Sequence, residues 1–228
     1  MLIPAILHQK IETAKAAMYN HPHHDLNLGY RQDIWAALGL NMDGAEVSYT
    51  VPRKRRAMLA ILAATRVIPV WEGIWSIDYT PHCILGAARL VLNGTLEVNK
   101  ARSYRDDNWG KLESLATFPQ YQSSAYQKAI SAGLSAISAL GAALDDEQFD
   151  KDQINYDLTD ADVDAYYNDS SFWAANAIAG AIWEPNSDAI KRRSFWEWWL
   201  SKAVTNAWWA FTDNSRAETF PRQMELIA

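Results

Sequence analysis

Seven aromatic side chains fall between Phe195 and Phe211, in the segment SFWEWWLSKAVTNAWWAF, and five of them are tryptophans. At roughly 100° per residue, Phe195, Trp198, Trp199 and Trp209 share one part of a helix surface, while Trp196, Trp208 and Phe211 point elsewhere. A helix that is apolar around most of its circumference is normally enclosed by other helices. The segment therefore predicts a central helix, with an aromatic surface left partly open for a protein partner as the sharper alternative.

The rest of the 228-residue chain has the material to enclose such a helix. Hydrophobic residues make up 49% of it and aromatic residues 12%, with only 10 glycines and 8 prolines. Alanine is frequent, and this balance favours helices over turn-rich β architectures. The apolar spacing is helical nearly everywhere. Ile3, Leu7, Ile11, Ala14 and Met18 form the first stripe, and a second helix is expected from Asn27 to Leu40. A loop containing Asp43 and Gly44 follows, then a helix from Arg53 that should kink or restart at Pro69, because proline lacks the amide proton and crowds the preceding turn. Thr80 as N-cap, Pro81 and the closing Gly94 bracket another helix.

A polar stretch with Arg102, Arg105, Asp106 and Asp107 leads to a long small-residue helix over 123–144. Two more helices are expected, Ser171 to Trp183 and Asp188 to Asp213. No period-2 strand pattern and no solenoid repeat is present. The expected fold is all-α, a single bundle-like domain over 1–228 with seven or more helices.

Charge is concentrated in one place. Between Asp145 and Asp169 stand ten acidic residues and one base, Lys151, so this stretch carries −9 of a net −6, leaving the remainder at +3. The stretch reads as an acidic linker, 145–170, between two helical parts. Its carboxylates Asp145, Asp146, Glu147, Asp150, Asp152 and Asp157, interleaved with Tyr156, Tyr166 and Tyr167, have the chemistry to steer towards a basic cleft on another protein and then anchor in it. A solvated loop is the bland alternative. A calcium loop is disfavoured, because the alternation of Asp160, Asp162 and Asp164 lacks the sixth-position glycine and terminal glutamate.

Other chemistry has little support. His21, His23, His24 and Asp25 lack the i, i+4 spacing that presents two ligands on one helix face, so no metal site is expected. Cys83 excludes an internal disulfide, and no base is visible to activate it as a nucleophile. No phosphate loop, GxSxG or HExxH occurs, so the expectation is no enzyme and no cofactor. The basic clusters at Arg53–Arg56 and Lys191–Arg193 oppose the helix dipole, but a pI near 5.3 argues against nucleic acid, and pairing with the chain's own acids is simpler. Neither a secretory signal nor a membrane-length apolar run is evident, and a cytoplasmic protein of undefined oligomeric state is the default.

Two segments are more specific. RVIPVWEGIWSIDYTPHCILGAARLVLNG, Arg66 to Gly94, and SFWAANAIAGAIWEPNSDAIKRRSFWEWWLSKAVTNAW, Ser171 to Trp208, resemble the all-helical family-five (Imm5-like) immunity proteins of bacterial polymorphic toxin systems. The resemblance rests on the Val-Ile-Pro-Val-Trp-Glu element, the proline-started helix after it and the Phe-Trp-Glu-Trp-Trp-Leu helix, not on the first 50 residues or the acidic stretch. It implies a non-enzymatic antidote that binds and neutralises a cognate toxin domain, with a nuclease as one candidate. Trp71, Glu72, Trp196, Trp198 and Trp199 carry the shared motif and are assigned to the core. The alternatives are a helical scaffold or adaptor, and a ligand-binding protein or enzyme whose pocket uses Trp71, Trp75, Trp183 and Trp199 with Glu72, Glu184 or Glu197.

Overall fold

The computed structural model describes residues 3–39 and 50–211, and every regular element among them is helical. The loop expected around Asp43 and Gly44, and the last residues of the expected C-terminal helix, lie outside the described residues. In chain order the α-helices are α1 (Ala5–Asn20), α2 (Leu28–Ala37), α3 (Val51–Glu72), α4 (Thr80–Leu92), α5 (Val98–Thr117), α6 (Ser124–Asp145), α7 (Ser170–Ala179), α8 (Ala189–Trp198) and α9 (Val204–Trp209). A π-helical turn, Trp199–Ala203, joins the last two without a break.

Helix α6 is the axis of the bundle, flanked by α3, α4, α5 and α7. Its alanines, serines and glycines let the neighbours come close. A Cβ on Gly133 would stand 2.7 Å from Leu112 Cδ1 and 3.0 Å from Trp71 Cζ3, so the missing side chain makes room for α5 and α3 together. Polar groups in this tight region are satisfied by each other. Ser135 Oγ donates to the Ser170 carbonyl at 2.8 Å, and Ser170 Oγ donates to the Ala60 carbonyl at 2.9 Å, tying α6, α7 and α3 together.

Several boundaries differ from the sequence expectation. α3 runs through Pro69 to Glu72 with no restart, because only the last turn remains to be bonded and Gly73 N–H donates to the Pro69 carbonyl. Thr80 is the first helical residue rather than the cap, and Asp78 Oδ1 accepts its amide at 2.8 Å. Gly94 does follow the end of α4 with φ +69°. α7 stops at Gly180, φ +84°, and does not reach Trp183. The polar stretch after Gly94 is the 20-residue helix α5, which buries only Ala101, Asn108 and Leu112.

The aromatic segment is central, with a different face inward. Phe195, Trp196 and Trp199 are buried, while Trp198, Trp208 and Trp209 are half-exposed at the edge of the bundle. Trp196 can be buried because Asp25 Oδ1 accepts its indole N–H at 2.9 Å, a partner that spacing alone does not reveal. Arginines cover two of the edge rings: the Arg55 guanidinium lies 3.5 Å from the Trp208 ring centroid and Arg66 lies 5.2 Å from that of Trp198.

Candidate functional site

The acidic stretch is bound along much of its length to the bundle, not suspended from it. Asp145, the last residue of α6, accepts from Arg102 and Arg105 of α5. Asp146 receives Arg56 of α3 through both carboxylate oxygens, at 2.7 and 2.6 Å. Further on, the chain crosses the start of α2. The Leu28 amide donates to the Leu158 carbonyl at 3.1 Å, Asn27 Nδ2 to the Tyr156 carbonyl at 3.1 Å, and Tyr156 O–H to Asp33 Oδ2 at 3.0 Å. Gly29 permits the crossing, since a Cβ there would stand 2.1 Å from the Asn155 oxygen and 2.6 Å from its carbonyl carbon.

Beyond the crossing, the fully buried Arg31 guanidinium of α2 is shared between Asp160 and Asp169. Burial alone would lower the guanidinium's affinity for its proton, but the two carboxylates outweigh it and hold the group charged. Burial pushes Asp160 up to about 6 in spite of that partner. Asp169 also caps α7, its Oδ1 accepting the Ser171 and Phe172 amides at 2.8 and 3.2 Å.

Four of the ten carboxylates are thus committed to arginines within the protein. Glu147 has no ion-pair partner among the described residues. Its carboxyl is held well above the ordinary range by burial first, then by Asp169 and Asp146. The remaining five, Asp150, Asp152, Asp157, Asp162 and Asp164, are exposed, as are Tyr156, Tyr166 and Tyr167. Tyr166 stands edge-on to Trp109 at 5.0 Å, and Tyr167 is 72% exposed with its ring perpendicular to that of Tyr166. The outcome is a fixed ridge with carboxylates and phenol rings outward, anchored by arginines below.

Sequence reasoning missed those anchors. Arg31, Arg56, Arg102 and Arg105 are scattered over α2, α3 and α5, and only folding brings them under one stretch of chain. The basic clusters find partners inside the protein, as expected, and many of these are carbonyls at helix ends rather than acids. Arg53 donates to the Ala143 and Leu144 carbonyls of α6, and Arg55 and Arg56 to the Leu38 and Gly39 carbonyls after α2. Arg192 serves Gly180 after α7, together with Asn176 and Asp25. Each arginine there meets the negative end of another helix's dipole, which offsets the cost of a base near its own N-terminus.

The other candidates are placed as follows. Trp71 is buried and donates its indole N–H to the Asp78 carbonyl at 2.9 Å, whereas Glu72 is half-exposed and meets His82 at 2.9 Å. Glu197 bonds Arg193 and Tyr19, and Trp183 is 66% exposed. Trp71, Trp75, Trp183 and Trp199 therefore do not line one pocket; the cavity bordered by Glu72 and His82 contains none of them. His21 Nδ1 accepts the backbone amides of His23 and Asp25, which makes it part of the turn after α1. No group of three or more His, Cys, Asp or Glu among the described residues is arranged to hold a metal. No helix among them is long and apolar enough to cross a membrane.

The described residues form an all-helical bundle with a tryptophan-rich C-terminal helix and an arginine-anchored acidic ridge. The family model for the immunity protein Imm5 matches residues 11–206, and the chain belongs to that family. The match takes in the acidic ridge, most of the first 50 residues, the first motif segment and all but the last two residues of the second. No curated protein matches the chain. Membership of an immunity-protein family implies a toxin as partner.

Proposed function

We propose that this protein is an antidote that binds its cognate toxin directly through the ridge between Asp145 and Asp169 and performs no chemistry of its own. The observation that supports this reading is the division of labour among the acids. Asp145, Asp146, Asp160 and Asp169 spend their charge on arginines beneath, while Asp150, Asp152, Asp157, Asp162 and Asp164 face outward beside Tyr156, Tyr166 and Tyr167. A loose acidic loop loses conformational entropy when it is captured; an anchored one has met that cost on folding. The exposed carboxylates raise the encounter rate with a basic surface, such as the cleft of a nuclease, and the fixed tyrosines slow release. Glu147 sits at the base of the ridge, with Asp145 and Asp146 as its supports.

The test is association kinetics with the cognate toxin. Substituting Asp150, Asp152 and Asp157 together by asparagine leaves every arginine ion pair beneath the ridge intact and removes only the exposed 4.0 Å contact between Lys151 and Asp152. The variant should associate about tenfold or more slowly at low salt, with a flatter dependence on ionic strength. Unchanged kinetics at all salt concentrations would remove the ridge from the interface. A wild-type chain that fails to bind the toxin, or to protect a cell producing it, would remove the antidote reading itself.

A further inference from the structure

A cavity of about 240 Å³, partly open to solvent, lies under the ridge where α2, α5 and α6 meet it. Trp35 of α2, Trp109 of α5 and Tyr166 of the ridge supply aromatic walls, and Glu147, Asn168 and Asp169 supply polar ones. Of the charged residues, Arg105, Asp145, Asp146, Glu147 and Asp169 line it, and Arg31, Arg56 and Arg102 pair with acids among them. Arg31 is matched by Asp160 and Asp169, Arg56 by Asp146, and Arg102 and Arg105 by Asp145, so Glu147 is the acid left over. A second, independent feature points the same way. Asn168 is 7% exposed, its backbone carbonyl is taken by Ser138 Oγ at 3.1 Å, and its side-chain Oδ1 accepts no hydrogen bond. A buried acceptor without a donor is costly, and native structures rarely leave one without a purpose.

The cavity thus holds an unbalanced carboxyl, an unused amide oxygen and two indole rings, and offers no free donor charge of its own. Those are the requirements of a cation carried on an apolar stem. The carboxylate balances its charge, the amide oxygen accepts one N–H, and the ring faces hold a guanidinium or ammonium group. Ridge residues Glu147, Leu158, Val163, Tyr166 and Asn168 line the cavity, so the charge carried by the same ridge draws a basic protein surface towards it. Resting on the antidote reading above, we propose that this cavity is the socket for one lysine or arginine side chain of the toxin, with Glu147 as its counter-ion and Asn168 as its hydrogen-bond acceptor. The burial that holds the Glu147 carboxyl above its ordinary range fits a site that waits for a positive charge.

Two probes separate this socket from the general reading. The first is butylguanidinium, with butylammonium beside it, titrated into the full chain while the indole N–H resonances of Trp35 and Trp109 are followed by NMR. Saturable shifts are expected for the wild type, weakened about tenfold or more in Glu147→Gln and in Asn168→Ser. The second is release of the cognate toxin, which should quicken about tenfold or more in the same two variants while the salt dependence of association stays as in the wild type. Asn168→Ser keeps the backbone carbonyl that Ser138 uses and leaves Glu147 in place, so it reports on the socket independently of Glu147→Gln. Absence of probe binding to the wild type, or wild-type affinity of folded variants for either probe or toxin, overturns the socket and leaves the antidote reading standing. A wild-type chain that takes the probe but no toxin overturns the antidote reading, and with it the assignment of the cation to a toxin side chain.

Discussion

Arg56 and Asp146 meet side by side, with Nε on Oδ1 and Nη2 on Oδ2 at 2.7 and 2.6 Å, across 90 residues of sequence. The guanidinium is 2% exposed and also donates to the Trp35 and Gly39 carbonyls, so the pair locks the start of the acidic ridge to α3 and to the end of α2. Asp146 adopts φ +66°, a left-handed conformation that side chains other than glycine rarely take, and the double hydrogen bond is what holds it there. Removing one partner of a buried ion pair strands the other charge. Asp146→Ala should therefore cost about 3–5 kcal/mol in urea unfolding. A loss below about 1 kcal/mol would mean that solvent reaches the pair freely.

Glu147, the next residue along, makes the opposite prediction. Its carboxyl is raised by burial and by Asp169 and Asp146, with Arg56 and Arg31 only partly opposing them. The folded state therefore holds this proton more tightly than the unfolded chain does. The stability it contributes is present while the carboxyl is protonated in the folded state, and is lost as pH climbs from the ordinary glutamate range through the raised value. Glu147→Gln should be more stable than the wild type at neutral pH, with the difference disappearing at acid pH. Denaturant midpoints measured from pH 4 to 8 check it; a constant difference across that range would assign the effect to packing instead of charge.

Trp196 tests how the aromatic helix is held. Its indole N–H donates to Asp25 Oδ1, an oxygen that also lies 3.4 Å from Arg192. Trp196→Phe keeps most of the ring volume but leaves a buried acceptor short of one donor. It should cost about 1–3 kcal/mol. Adding Asp25→Ala should give a loss smaller than the sum of the two single changes, because both remove the same bond.

The helices legible in the sequence are those whose buried face is uniformly apolar. Leu7, Ile11, Ala14 and Met18 of α1 are all buried, and so are Ile130, Gly133, Ile137, Leu140 and Leu144 of α6. α5 was obscured because its inward line reads Ala101, Tyr104, Asn108, Leu112, with a buried asparagine at its centre. That asparagine is satisfied by donating to the Tyr104 carbonyl, a bond invisible before folding. Periodicity locates the aromatic helix but rotates it, since it ranks tryptophans by position and cannot see that Asp25 offers Trp196 an acceptor. The ridge shows the same limit. Its charge and tyrosines are plain in the sequence, but which carboxylates face outward is decided by arginines on α2, α3 and α5 that no local pattern connects to it.

Gly29 is the residue where local pattern said least and the fold demands most. It lies in the first turn of α2, where alanine is normally the better helix former by up to about 1 kcal/mol. Here a methyl group would stand 2.1 Å from the Asn155 oxygen and 2.8 Å from the Tyr156 Cα, and both obstacles are backbone, so no side-chain rotation relieves them. Gly29→Ala must lift the ridge from α2, breaking the bond from the Leu28 amide to the Leu158 carbonyl and separating the Tyr30 and Tyr156 rings, now 4.9 Å apart. Overpacking of this kind costs about 1–3 kcal/mol. Because the core helices are untouched, the expected signature is local: faster tryptic cleavage at Lys151, and quicker toxin release with little change in the salt dependence of association. Cleavage at the wild-type rate, together with unaltered release, would show that the crossing over Gly29 is not what holds the ridge in place.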